Sequence, residues 1–305
     1  MSKFLVAGLI NLETTVRIDG FPLDYKPNNF TFFGVQSRVS GVGYNLAKAL
    51  TTLGNTVHFA SLIANDPVSE LIISALDSEG ISSHYCQRIL QQSAQSAVLY
   101  DPDGRRQIFT DLKDIQEQSY PVDQLRGVFP ECDLAVICNI NFARPMLPIA
   151  RALGIPIATD LHTISDLEDP YNKEFMDADI LFMSHERLPC KPEEWARRML
   201  DRHLNQILVI GLGADGALLA APSQGFFGRL PAQTTRPVVN TIGAGDALFS
   251  SFLHGYSAGL SAYQALQQAI LFASYKIGEV GAAQGFLSAA ELSALYAKHH
   301  QSIKI

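Results

Sequence analysis

No C-x-x-C pair occurs in this 305-residue chain, and its four cysteines, Cys86, Cys132, Cys138 and Cys190, form no disulfide-like pattern. That argues against a disulfide framework and a thiolate metal site, and a reducing cytoplasm fits best. Basic runs are missing too, and the net charge is −7. Nucleic acid and anionic membranes are therefore poor candidates for the main partner. A phosphorylated ligand is not excluded, because backbone amides bind phosphate on acidic proteins as well. The opening MSKFLVAGLI carries one lysine and only a short apolar run, a strand rather than a signal peptide or membrane span. There is no internal repeat, no low-complexity segment and no Walker sequence G-x-x-x-x-G-K-[ST], so a P-loop is ruled out.

What is present can build a core: 47% of residues are hydrophobic and 17% charged. Apolar β-rich runs alternate with helical patterns. Strands are expected at Phe4–Ile10, Thr56–Ile63, Asp133–Ile140, Ile155–Thr159, Ile180–Met183 and Gln206–Ile210. Helices are expected at Val42–Leu53, Val68–Ser78, Met146–Leu153, Pro192–His203, Ala244–Ser257, Ala262–Gly278 and Ala289–His299. Continuous apolar strands alternating with helices imply an α/β fold, a doubly wound, mostly parallel sheet flanked by helices, with 1–305 as one domain. Two segments break the rhythm. Thr14–Val39 is rich in β formers and lacks a helical period, and Ala97–Thr110 reads as a hairpin turning at Asp101–Gly104. They are expected to form one small β-sheet, a lid over the end of the main sheet, where open α/β sheets bind ligands. Two ordinary surface hairpins would give the same pattern.

Three glycine-rich stretches carry the chemistry. GLGADG, residues 211–216, spells G-x-G-x-x-G after a strand, as a dinucleotide site would. Its surroundings do not fit: ALLAAPSQGFFGRL reads as a hairpin rather than a helix, and positions 217–239 hold no Asp or Glu to take a ribose. SGVGYN, residues 40–45, precedes a helix; it serves either as a turn and cap or as a close approach for a small ligand beside Asn45. NTIGAGDALF, residues 240–249, opens another helix. Its acid could merely complement the helix dipole. Yet Gly243 and Gly245 clear side chains from consecutive N–H groups, which makes an anion hole, and a carboxylate beside such a hole suits proton abstraction from an attacking hydroxyl.

These motifs together resemble the ribokinase-like (PfkB) family of sugar and nucleoside kinases along essentially the whole chain. TIGAGDA matches that family's D-T-x-G-A-G-D segment. GVGYNLA, followed by Gly54, resembles its glycine–asparagine signature. GLGADG falls at its T-L-G-x-x-G nucleotide loop, and GLINLETTVRIDGFP is similar to its G-x-x-N-x-D start. The resemblance implies ATP-dependent transfer to a primary hydroxyl of a sugar, with a nucleoside as the alternative acceptor. Asp246 would be the catalytic base, and Gly243, Ala244 and Gly245 would hold the transferring phosphoryl group. Gly211, Gly213, Gly216, Thr241 and Ser274 would border ATP. Asn11, Glu13, Gly41, Gly43, Asn45, Asn139 and Asn141 would face the acceptor. Mg²⁺ would accompany ATP, with Glu186 ordering a metal-bound water, and a homodimer and a monovalent cation are compatible with the family pattern.

The sequence departs from that pattern at several points. Glu13 stands for Asp, Ser40 for Gly, and Asn240 for Asp at the cation-linked head of the last motif. The N-x-x-E magnesium segment is present only as Met183–Glu186, and FASYKIGEVGA is short beside adenine. Asp160, at a strand's C-terminal end, is placed to face phosphates or to cap a turn. Tyr25, Phe30, Phe32 and Phe33 in the lid suit stacking on a base or a lid core. A ligand-binding protein that kept the fold, and an NAD(P)-dependent oxidoreductase, are the rival classes.

Overall fold

Strands that are apolar on both faces need cover on both faces, and the chain supplies it with helices between them. The computed structural model describes residues 1–302. Its strands are β1 (Lys3–Ala7), β2 (Asn11–Arg17), β3 (Val35–Ser40), β4 (Thr56–Ala64), β5 (Cys86–Leu90), β6 (Gln95–Tyr100) and β7 (Arg106–Asp111). Then follow β8 (Leu134–Ile137), β9 (Ile157–Thr163), β10 (Ile180–Ser184), β11 (Ile207–Gly211), β12 (Ala217–Ala221) and β13 (Phe226–Leu230). The helices are α1 (Val42–Thr52), α2 (Pro67–Ser78), α3 (Met146–Ala152), α4 (Pro192–Arg202), α5 (Ala244–Ser257), α6 (Ala262–Lys276) and α7 (Ala289–Ser302).

Nine strands form the large sheet in the order β13-β12-β11-β10-β9-β8-β1-β4-β5. Every neighbouring pair from β11 through to β5 is parallel, and only the β11–β12 and β12–β13 pairs are antiparallel. The hairpin expected after GLGADG is therefore β12–β13, and no helix follows Gly216. That removes the support a dinucleotide pyrophosphate needs. Helix α5 packs against both α1 and α6, while α3 lies on β8 and β9, and α4 on β11 and β12. Phe249 and Phe252 of α5 meet Phe182 of β10 at centroid separations of 4.7 and 5.1 Å. Burying one such ring stabilises the fold by about 1.5–3 kcal/mol, and here it fixes the angle at which α5 presents its N-terminus.

The segments that broke the α/β rhythm pair in a separate four-stranded sheet, β3-β2-β6-β7. Its centre is the parallel pair β2–β6, flanked by antiparallel β3 and β7. The first strand is shorter than its apolar run suggests. It ends at Ala7, and the chain crosses at Gly8 to begin β2 at Asn11. The crossing is tight: a Cβ on Gly43 would collide with the backbone of Gly8, so α1 packs directly on the end of β1. Strand β9 runs further than expected, to Thr163, and so carries Asp160 and His162.

Candidate active site

Two helix N-termini meet at the C-terminal end of the large sheet. Helix α1 starts at Val42, with Tyr44 N–H donating to the Leu9 carbonyl at 3.2 Å. Helix α5 starts at Ala244, capped by Gly243 in a left-handed conformation (φ 74°). Their first turns are joined by one hydrogen bond: Asn45 Nδ2 donates to Asp246 Oδ2 at 2.7 Å. Both residues are buried. The α1 and α5 motifs, 201 residues apart in sequence, thus converge on one carboxylate.

Burial pushes the Asp246 carboxyl above the ordinary Asp value, and the nearby Asp160 pushes the same way. The Asn45 hydrogen bond, His162 and Lys276 oppose the shift. Glu13 is also raised, first by burial and also by Asp246, while a hydrogen bond with Ser40 and the charge of Lys276 pull it down. Raised carboxylates in a desolvated cleft are a mark of proton-transfer sites.

In front of α5 lies open space. A Cβ on Gly245 would meet nothing nearer than Asp160 Oδ2, at 4.0 Å. Ala244 N–H is already tied to the Thr241 carbonyl at 3.2 Å, and a helix N-terminus with open space before it suits an anion. Asp160 accepts from its own neighbour, His162 N–H, at 2.8 Å through Oδ1. No group of three or more His, Cys, Asp or Glu suited to a metal exists among the described residues. A Mg²⁺ ion carried by phosphates and water needs only one or two carboxylates, so Asp160, beside the open N-terminus of α5, fits it. Glu186 is exposed, with its N–H donating to Ser184 Oγ at 3.3 Å, and is the weaker candidate.

The other expected site residues fall at different places. Gly211 ends β11, and Gly213 to Asp215 form a short 3₁₀ turn beside it. Gly216 (φ 97°) leaves no room for a side chain against the Leu230 carbonyl, so its glycine is required by the turn whatever binds nearby. Asn11 Nδ2 donates to Ser96 Oγ at 3.0 Å, tying β2 to β6. Gly41 has φ 107° and packs under Leu9. Thr241 accepts from Arg106 Nη1 at 2.8 Å, which links the small sheet to the loop before α5. Ser274 is buried and accepts from Thr235 N–H at 3.1 Å, so its hydroxyl fixes the approach to that loop. Asn139 Nδ2 reaches the Leu161 carbonyl and Asn172 Oδ1 at 3.3 and 3.2 Å. Both sides of the Asn141 amide are engaged, by the Gln116 carbonyl and by Arg144 Nε.

Lys276 and Arg106 went unnoticed in the sequence. Lys276 had a signal: it is the only charged residue in the run AILFASYKIG, inside a helix otherwise built to be buried. It is indeed 0% exposed, and its Nζ donates to the Ile242 carbonyl. Burial lowers its pKa to about 8; Arg106 acts in the same direction, and Asp246, Glu13 and Glu279 act against it. Arg106 had no signal, being one of two adjacent arginines beside a turn.

Comparison with known proteins agrees with this fold. The family model described as "pfkB family carbohydrate kinase" matches residues 1–148 and 161–289. An acarbose 7(IV)-phosphotransferase from Actinoplanes sp. is 25% identical over 258 residues, covering 84% of this chain and 85% of that protein. A microbiome-derived acarbose kinase superposes with a TM-score of 0.88 at 24% identity, over 97% of this chain and 99% of that one. Arabidopsis thaliana ribokinase, solved with ribose and ATP, superposes with a TM-score of 0.80 at 19% identity, over 97% and 98% of the two chains. With the family match spanning most of its length and its fold shared with ribokinases, the chain belongs to the pfkB family of carbohydrate kinases and is an ATP-dependent kinase.

Proposed function

We propose that the enzyme transfers the terminal phosphoryl group of ATP to a primary hydroxyl of a sugar, with Asp246 as general base. The observation that carries this reading is the buried Asn45–Asp246 pair at the open N-terminus of α5. The acceptor oxygen attacks the terminal phosphorus in line, its proton passes to the Asp246 carboxylate, and ADP leaves. The amides of Gly243 and Gly245 would face the charge that builds on the phosphoryl oxygens, whereas Ala244 N–H donates to the Thr241 carbonyl. Bound Mg²⁺, held through Asp160, would supply charge neutralisation on the phosphates.

The sugar reading has its own support. Asn11 Oδ1 and Asn45 Oδ1 are buried without a hydrogen-bond partner. Buried acceptors left open cost about 1–3 kcal/mol each, and the hydroxyl donors of a polyol would relieve both. A nucleoside is the second reading, favoured by Tyr25, Phe30, Phe32 and Phe33, which are 84–97% exposed and so do not form a lid core. We read the small sheet as a lid that shields the transfer from water. A cytoplasmic location goes with the four free cysteines, three of them buried. Among the described residues no helix is long and apolar enough to cross a membrane.

Mg-ATP is expected to raise the melting temperature, whereas NADH is not. At ~100 Kd of nucleotide the stabilisation should reach about 2.7 kcal/mol. A shift with NADH and none with Mg-ATP would contradict the reading. ADP release across a panel of sugars and nucleosides then decides the acceptor, with sugars expected to lead.

A further inference from the structure

A fully buried ammonium is expensive unless it is paired and hydrogen-bonded, so Lys276 requires a reason. It is the last residue of α6, and its Nζ reaches the carbonyl of Ile242, the residue immediately before left-handed Gly243. The surrounding backbone is fastened to the same turn. Val239 and Asn240 N–H both donate to the Ile277 carbonyl, at 2.9 and 3.2 Å, and Asn240 Nδ2 donates to the Val280 carbonyl. Asn240 Oδ1 in turn accepts from Ile242 N–H at 2.8 Å. The Ala282 carbonyl closes the other side, lying 2.5 Å from where a Cβ on Gly243 would be.

The charges acting on Lys276 come from four elements: Asp246 of α5, Glu13 of β2, Arg106 of β7, and Glu279 after α6. Burial raises the proton affinity of both carboxylates, and the Asp246 charge raises that of Glu13 further. Like charges sharing a desolvated site cannot both ionise easily without a counter-charge. The Lys276 ammonium donates to the Ile242 carbonyl and acts on both carboxylates through space, without a direct ion pair to either.

We propose that Lys276 is the resident cation of the active site, a positioning residue whose ammonium fixes the Ile242–Gly243 turn and balances Asp246 and Glu13, so that no dissolved monovalent cation is required. The inference rests on Asp246 being the base. Lys276 touches neither substrate in this scheme and acts through the anion hole and the carboxylates.

The test compares rates in sodium, potassium and ammonium chloride at equal ionic strength. Wild type is expected to run equally in all three. Lys276→Met should keep near-normal KM values for ATP and acceptor and lose ~10²-fold in kcat, the scale of a small misplacement of catalytic groups. Lys276→Ala should regain several-fold activity with ammonium or methylammonium, but not with tetramethylammonium, which is too large for the vacated space. The pH profile gives a reading that a merely structural lysine would not move. With its proton affinity lowered to about 8, Lys276 is charged below that pH, so wild-type kcat should fall as pH rises through it. Lys276→Arg keeps its charge, and its alkaline limb should move upward.

A many-fold requirement of wild type for potassium over sodium, or a wild-type kcat in Lys276→Met, overturns the proposal. If neither apolar variant folds by melting curve, the Lys276→Arg limb decides, and an unmoved limb overturns it. Asp246→Asn, run alongside, separates the two failures. An active Asp246→Asn removes the base reading itself, whereas an inactive Asp246→Asn beside a fully active Lys276→Met removes only the role of Lys276.

Discussion

Asp246→Asn is expected to fold normally and to lose single-turnover phosphoryl transfer by ~10²–10⁴-fold, the range for a missing general base. The carboxylate sits in the first turn of α5, buried, with one oxygen held by Asn45 at 2.7 Å. An amide of the same shape keeps an oxygen to accept that hydrogen bond. It also removes a charge that burial and Asp160 both disfavour, which offsets the weaker pairing left for Lys276. Stability should therefore change by about 1 kcal/mol or less. Substrate binding should change little, since the amide NH2 can donate to the acceptor hydroxyl oxygen while the amide oxygen keeps the Asn45 bond. The measurement is rapid-quench transfer at saturating ATP and acceptor beside a melting curve. A variant that keeps more than about a tenth of the wild-type rate, well above the range for a lost base, would reduce Asp246 to an acid that complements the helix dipole.

Much of this site could be read in the sequence because its parts are backbone devices with short signatures. TIGAGD and GVGYN each announce a glycine turn feeding a helix, and the structure brings those two helix starts together through Asn45 and Asp246. The parallel order of the large sheet followed from apolar strands alternating with helices. The hairpin after GLGADG likewise followed from its proline and glycines, and it is present as β12–β13. What stayed hidden depended on long-range packing. Nothing local to Lys276 says that its ammonium meets the Ile242 carbonyl 34 residues away. Arg106 finds Thr241 only because the small sheet folds back over the C-terminal motif. Nor does the sequence say that a 3₁₀ turn directs the Asn141 amide to Gln116. Expecting β1 to run to Ile10 failed for a similar reason: the apolar run continues, but the chain has already crossed to the second sheet.

The two glycines that frame the anion hole should respond in opposite ways to the same methyl group. Gly243 has φ 74°, where a side chain is strained, and a Cβ there would press on the Ala282 carbonyl at 2.5 Å. Gly243→Ala should therefore cost about 1–3 kcal/mol of stability, through backbone strain and the clash together. Gly245 lies inside the first turn of α5, its φ is not in the left-handed region, and the space before it is open as far as Asp160. Gly245→Ala should accordingly hold stability or raise it by about 0.5–1 kcal/mol, because alanine is the better helix former. Turnover should fall in both variants. In Gly245→Ala the added methyl projects into the space assigned to the phosphoryl group, and displacing that group by about 1 Å is enough to cost ~10²-fold. Melting temperature and kcat measured on the two variants separate fold from chemistry within one helix start. A Gly245→Ala enzyme that is more stable yet slow would mean that the second glycine serves the phosphoryl group rather than the turn. If that enzyme instead ran at the wild-type rate, no phosphoryl group could lie against the α5 N-terminus, and the proton acceptor would have to be sought away from Asp246.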